Sequence, residues 1–234
     1  MEKARNEITA DVKNTRLKLM VCLFLPAVLF WLAWEPMPFT PFVFIAFVPL
    51  LHLADLGLNT SKWKNFAILF LALLFWNILT TWWVWFASGV GAITMLILNS
   101  LLMYIPFGIT RWLLRKKRFL WDAKWLFIAL WLMYEYGHHH WDLSWPWLCL
   151  GNAFSGMPWY VQWYEHTGTL GGTALILSVN LLIYKGLANA QFNGYRSWPR
   201  VFRLPVGIVF LFGSFSWFLG EMASDYVYQK KSKL

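Results

Sequence analysis

Residues 66–110 read FAILFLALLFWNILTTWWVWFASGVGAITMLILNSLLMYIPFGIT, and this stretch decides the fold. It divides into two apolar runs, 66–87 and 91–110, joined by a tight turn over Ser88 to Gly91. Each run supplies the ~20 apolar residues that an α-helix needs to cross a hydrocarbon core about 30 Å thick. No charged residue interrupts either one.

The same pattern extends in both directions. Upstream, residues 17–34 form a first apolar run that Pro26 is expected to kink. Glu35-Pro36-Met37-Pro38 stops it. Residues 39–54 are apolar again but short, with Pro41 and Pro49 inside, so a tilted or re-entrant segment fits as well as a crossing. Downstream, apolar runs cover 125–137, 167–184 and 204–222. Residues 1–16 are polar and read as a short interfacial helix or a tail, and 223–234 as a polar tail. The reading is an all-α, polytopic membrane helical bundle of about seven transmembrane helices, without internal repeats.

Composition agrees. Of the 234 residues, 59% are hydrophobic and 13% charged, and the mean hydropathy is +0.49. Soluble domains carry roughly 25% charged residues. The 18 tryptophans suit a headgroup zone, where an indole is half apolar and half wet. The net charge of +9 would raise the question of nucleic acid in a soluble protein, but here Lys and Arg sort by loop. The N-terminus and alternate loops, 55–65, 111–124 and 185–203, hold 17 of the 20. The other three, Lys230, Lys231 and Lys233, lie at the C-terminus. The expected topology is N-in and C-out, with no nucleic-acid partner. No small-residue cleavage site follows the first apolar run, so it is expected to stay as a helix. Cys22 falls inside that helix, which leaves no basis for an internal disulfide.

The chemistry concentrates in residues 131–166, WLMYEYGHHHWDLSWPWLCLGNAFSGMPWYVQWYEH, a stretch without Lys or Arg. Glu135 lies near the end of the fifth apolar run. An acid at membrane depth is costly and marks function, whereas one that has reached the interface is merely solvated. His138, His139 and His140 with Asp142 invite a metal reading. Consecutive side chains rarely converge on one ion, so a polar interfacial loop is expected and no metal. Trp145-Pro146-Trp147 has a fixed backbone and two large rings. It reads either as an acyl-chain or headgroup site or as an aromatic belt that only anchors the protein. Pro158 is expected to open a short helix along the membrane with Trp159 and Trp163 on one face and Glu165 and His166 beyond. Cys149 lacks the cation or base that a working thiolate needs. Asn77, Asn99 and Asn180, polar residues within apolar runs, are expected to join helices.

Several segments resemble the apolipoprotein N-acyltransferase family. WLAWEPMPFTPFVFIAFVPLLHLADL (31–56) looks like its first helical hairpin, and WNILTTWWVWFASGVGAITMLILNSLLM (76–103) like its third and fourth helices. YEYGHHHWDLSWPWLCLGNAF (134–154) resembles its Glu-containing helix end and aromatic-Pro-Trp loop, and WYEHTGTLGGTALILSVNLLIY (163–184) the following Gly-rich turn and helix. The resemblance runs from about Leu17 to the end of the seventh apolar run. It implies transfer of an acyl chain from a phospholipid to the N-terminal diacylglyceryl-cysteine of a lipoprotein, at a bacterial inner membrane. It also implies a Glu-Lys-Cys triad on a nitrilase-like periplasmic domain. No position here matches that triad, so catalytic residues are expected to be none. The resemblance carries Trp147 and Glu135 over as lipid- or substrate-binding, and Trp145, Asn152 and Glu165 more loosely.

The expected function is therefore the membrane domain of such an enzyme, truncated or split, inactive by itself, without cofactor, and partnered by a separate nitrilase-like catalytic chain. The alternatives are a non-enzymatic lipid-binding or scaffold protein and a small transporter. Transport finds little support, because no helix carries a charged midplane stripe and no broken helices pair across two halves.

Overall fold

A computed structural model describes residues 2–37, 39–116, 123–193 and 198–231, with side-chain surroundings for 17–37, 39–116, 124–189 and 201–222. Among the described residues, eight α-helices follow one another: α1 (Glu2–Ala33), α2 (Val43–Ala46), α3 (Val48–Leu58), α4 (Lys62–Thr81), α5 (Gly89–Arg115), α6 (Ala123–His138), α7 (Tyr164–Asn193) and α8 (Trp198–Lys231). Short 3-10 turns connect some of them, and no strand occurs among the described residues. The all-α expectation holds.

The helices overrun the apolar runs that announced them. The backbone of α1 is helical from Glu2, and that of α8 continues to Lys231, where a polar tail was expected. Five described segments are long and apolar enough to cross a membrane: Thr40–Leu58, Lys62–Phe86, Gly89–Arg115, Tyr164–Asn189 and Val201–Met222. Leu17–Ala33 is apolar but shorter, and α6 has 16 residues. The segment over 39–54 proves longer than its hydropathy suggested, because α3 runs on to Leu58. Arg111 of α5 makes this extension possible. Its guanidinium donates to the carbonyls of Gly57 and, at 2.8 Å, Thr60, while Arg115 reaches Leu58 O at 3.1 Å. A helix C-terminus leaves carbonyls unpaired, and cations satisfy them well.

Ser88 caps α5, its Oγ accepting from Gly91 N at 3.1 Å, so the tight turn read over Ser88 to Gly91 is the capped first turn of that helix, and the link lies over Trp82–Ser88. Side by side, α4 and α5 share Phe66–Tyr104, edge-to-face at 4.9 Å. One end of the bundle thus carries Lys62, Arg115 and Lys124, the basic end. The other carries Trp83, His138 and the loop after it, the Trp-rich end.

Phe47 marks the centre of the core. Its ring meets Phe30, Trp76, Phe107, Phe127 and Trp131 at centroid distances of 4.9–6.4 Å, joining five helical segments. Phe47 also sits where the helix breaks between α2 and α3, two residues before Pro49, which has no N–H for the ladder. Asn180 of α7 repairs the break. Its Oδ1 accepts from Phe47 N at 2.8 Å, and its Nδ2 donates to Val43 O at 2.9 Å. A second joint uses Asn99 Nδ2 donating to Asn77 Oδ1 at 2.7 Å, with Tyr134 Oη donating to Asn99 Oδ1 at 3.1 Å, so α4, α5 and α6 share one chain of bonds. All three asparagines therefore join helices. Asn180→Leu strands the Phe47 N–H and the Val43 carbonyl in an apolar core. The expected loss is about 1–3 kcal/mol, read as a lower Tm in detergent.

Outside, the helices are apolar too. Leu204, Phe210, Leu211 and Trp217 of α8 and Phe86 and Val90 beside the Ser88 turn are all exposed. A contiguous surface of this kind needs a bilayer to cover it.

Candidate functional site at the Trp-rich end

Glu135 organises this end. It lies one turn before the end of α6 and is 1% exposed. Three groups donate to its carboxyl: Trp131 Nε1 at 2.9 Å and Leu150 N at 2.8 Å on Oε1, and Thr173 Oγ1 at 2.6 Å on Oε2. All three bonds are accepted by the carboxyl oxygens. The three donors belong to α6, the loop and α7, so one side chain pins the loop between two helices. Glu135 is thus buried, and the solvated interfacial alternative falls away.

Backbone contact reinforces the clamp. Gly151 N donates to Thr173 Oγ1 at 3.0 Å, and Tyr164 Oη donates to Gly151 O at 2.8 Å. A Cβ on Gly151 would lie 2.0 Å from Thr169 O, so only glycine lets the loop approach α7 this closely. At Gly168, φ is +63°, which turns the chain sharply just inside the start of α7.

His138 closes the loop from the other side. It is 5% exposed and stacks on Tyr134 at 5.5 Å. Trp141 Nε1 donates to its Nδ1 at 3.1 Å, and its Nε2 lies 3.1 Å from both the backbone N–H and the carbonyl oxygen of Trp145. Burial lowers the His138 pKa from the usual histidine range, which favours the neutral ring. His139 and His140 are exposed, and no group of three potential metal ligands occurs among the described residues.

The tryptophans gather where Pro146 opens a 3-10 turn, Pro146–Leu148. Trp147 is 56% exposed and meets Trp83 edge-on at 5.7 Å, and Trp83 lies 6.3 Å from Trp145. Trp34 Nε1 donates to Trp147 O at 3.2 Å, and Asn152 Nδ2 to Pro146 O at 2.7 Å, so the turn is held from both sides. Two cavities flank the cluster. One of about 300 Å³ lies among Trp34, Glu35, Trp83, Trp147 and Asn152. The other, about 430 Å³, lies among Leu98, Asn99, His138, Ser144 and Trp145. The indole N–H of Trp145 is buried without a partner. Both cavities combine apolar walls with a few polar groups, the usual make-up of a small-molecule site.

Of the site residues read from sequence, Trp145, Trp147 and Asn152 come together here, with Glu135 behind them. Glu165 does not join them. It is exposed on the first turn of α7 and lines neither cavity. The helix expected from Pro158 is a 3-10 turn, Pro158–Tyr160, and its two tryptophans do not share a face. Trp159 is 61% exposed, whereas Trp163 is 2% exposed and packs on Phe212 of α8 at 5.0 Å. Sequence reading missed Trp34, Glu35 and Trp83. The motif TWWVWF (81–86) and the Pro-rich break after Trp34 were the available signals. Thr173 left no signal at all.

Cys149 is 4% exposed, and burial, with the charge of Glu135 behind it, pushes its thiol far up, away from the thiolate.

Comparison with known proteins places this end in context. The family model of the apolipoprotein N-acyltransferase N-terminal domain matches residues 26–182. That window includes the Glu135 clamp, both cavities and the Asn180 repair, and stops before α8. An apolipoprotein N-acyltransferase of Chlorobaculum tepidum is 27% identical over 154 residues, covering 64% of this chain and 28% of that protein. The chain therefore spans well under two thirds of that relative. With the match running through about two thirds of its length, the chain belongs to the apolipoprotein N-acyltransferase N-terminal domain family.

Proposed function

We propose that this chain is the membrane platform of a lipoprotein N-acyltransferase. Its Trp-rich end holds the phospholipid acyl donor and the diacylglyceryl-cysteine acceptor while a nitrilase-like unit performs the transfer. The observation that carries this reading is the loop over 145–152, pinned by a buried Glu135 yet presenting an exposed Trp147 beside a cavity of about 300 Å³. Pinning against α6 and α7 gives the indole a fixed position, as recognition of a flexible acyl chain requires. No residue of the Trp cluster is poised for covalent catalysis, so the Glu-Lys-Cys chemistry comes from outside these residues, on an attached or a separate unit.

The chain sits in a bacterial inner membrane, with about seven crossings, its basic end in the cytoplasm and its Trp-rich end outside. The loop distribution of Lys and Arg supports that orientation.

The experiment is reconstitution with phosphatidylethanolamine and a diacylated lipopeptide. The chain alone is expected to retain the lipopeptide without N-acylating it, and robust product would sink the proposal. With a nitrilase-like domain supplied, Trp147→Ala is expected to weaken turnover roughly tenfold, the loss of a contact worth about 1.4 kcal/mol. Unchanged kinetics would make Trp147 only an anchor.

A further inference from the structure

The basic end carries an unassigned surface. The turn between α3 and α4 is tied to the end of α5 through Arg111 and Arg115, both of which donate to Thr60 O. These ties bring Lys62 and Lys64, at the start of α4, beside Arg115 and Lys116, at the end of α5. All four are exposed. Among the side chains described at this end, Asp55 is the only carboxylate, and it is engaged by Lys124 at 2.6 Å and by the Tyr184 hydroxyl. The four cations therefore face outward as a patch of one sign.

Two tryptophans fix the depth of the patch. Trp63 is 70% exposed and Trp112 is 55% exposed. Lys62 Nζ lies 5.3 Å from the Trp63 ring centroid, and Lys116 Nζ lies 3.9 Å from that of Trp112. Exposed indoles at the ends of membrane helices lie at the headgroup level. An ammonium resting on such a ring is held at the depth of the phosphates, with its remaining N–H donors free for an oxygen acceptor.

We propose that this patch is a binding surface for anionic phospholipid headgroups, with Lys62, Lys64, Arg115 and Lys116 as phosphate donors and Trp63 and Trp112 as the interfacial frame. Its occupant is a structural lipid. The surface lies at the opposite end of the bundle from the Trp-rich cavities, so it is independent of the acyl-transfer reading.

The test compares two charge-matched double variants in nanodiscs of phosphatidylglycerol and phosphatidylcholine, with retained lipids counted by native mass spectrometry. Lys62→Gln with Lys116→Gln removes two patch cations. Lys185→Gln with Arg203→Gln removes two from α7 and α8. Juxtamembrane cations contribute about fivefold each to anionic-lipid binding, or about 1 kcal/mol. The patch variant is expected to lose phosphatidylglycerol preference by roughly 25-fold at low salt, and the control to keep most of it. Equal losses would reduce the effect to net charge and overturn the proposal, as would a patch variant that keeps its preference. Free inorganic phosphate at millimolar concentration is expected to leave the retained lipid in place; displacement by it would assign the surface to soluble phosphate instead.

Discussion

Glu135→Ala is expected to release the Trp-rich loop and lower the stability of the whole bundle. The substitution strands two buried donors, Trp131 Nε1 and Leu150 N, that have no other acceptor in place. Each such orphan costs about 1–3 kcal/mol, so the expected loss for two is about 2–6 kcal/mol. The Thr173 hydroxyl adds less, because it can rotate. Glu135→Gln separates shape from charge. Its carbonyl oxygen can still accept from Trp131 and Leu150, and its amide can donate to Thr173 Oγ1. Most of the stability should therefore return with glutamine. If instead glutamine is as damaging as alanine, the carboxyl group itself is what matters, and Glu135 is more than a clamp. The measurement is Tm in detergent, paired with maleimide labelling of Cys149 in a Cys22→Ser background. Cys149 lies inside the pinned loop at 4% exposure, so its labelling rate reports on the loop rather than on global unfolding.

Much of this architecture was readable in advance. The apolar runs at 66–87 and 91–110, which overlap the apolar segments Lys62–Phe86 and Gly89–Arg115, were legible because hydropathy is a local signal. Chain ends and joints were not. Once formed, a helix extends into polar sequence at little cost, so α1 and α8 pass beyond their apolar runs. α3 reaches Leu58 because Arg111 and Arg115, more than fifty residues away, take its last carbonyls. Pro41 and Pro49 suggested a weak crossing, and nothing nearby in sequence showed that Asn180 would mend the break at Phe47.

The site divides along the same line. Trp145, Pro146, Trp147 and Asn152 form a compact motif whose internal bond, Asn152 to Pro146 O, spans six residues. Such a unit can be recognised by eye. Of the partners that immobilise it, Thr173 lies on α7 and carries no periodic or compositional mark, while Trp83 stands in the aromatic stretch 81–86, whose composition does not say what it packs against. The Pro158 helix failed for a related reason. Its apolar spacing looked interfacial, but Trp163 donates to Tyr160 O at 3.1 Å and turns inward against α8. Tertiary packing decided the face.

Gly151→Ala carries the second large expected effect, and it isolates the loop more cleanly than Glu135 does. The added methyl would sit 2.0 Å from Thr169 O and 2.8 Å from its carbonyl carbon, so the obstacle is backbone and not a movable side chain. Thr169 follows the Gly168 kink and opens the continuous helical part of α7, whereas the loop has no helical ladder of its own, so the loop is the part expected to lift. Lifting breaks Gly151 N to Thr173, Tyr164 Oη to Gly151 O, and in turn Leu150 N to Glu135. The hydrogen bonds within α6 and α7 survive. The expected outcome is a modest drop in Tm with a rise of at least roughly tenfold in Cys149 labelling, as local opening without global unfolding produces. Lipopeptide retention should fall in parallel, because Trp147 loses its fixed position while its chemistry is unchanged. If retention persists in a variant whose Cys149 labels freely, the loop recognises lipid without being pinned, and the proposed role of the Glu135 clamp in substrate holding is wrong.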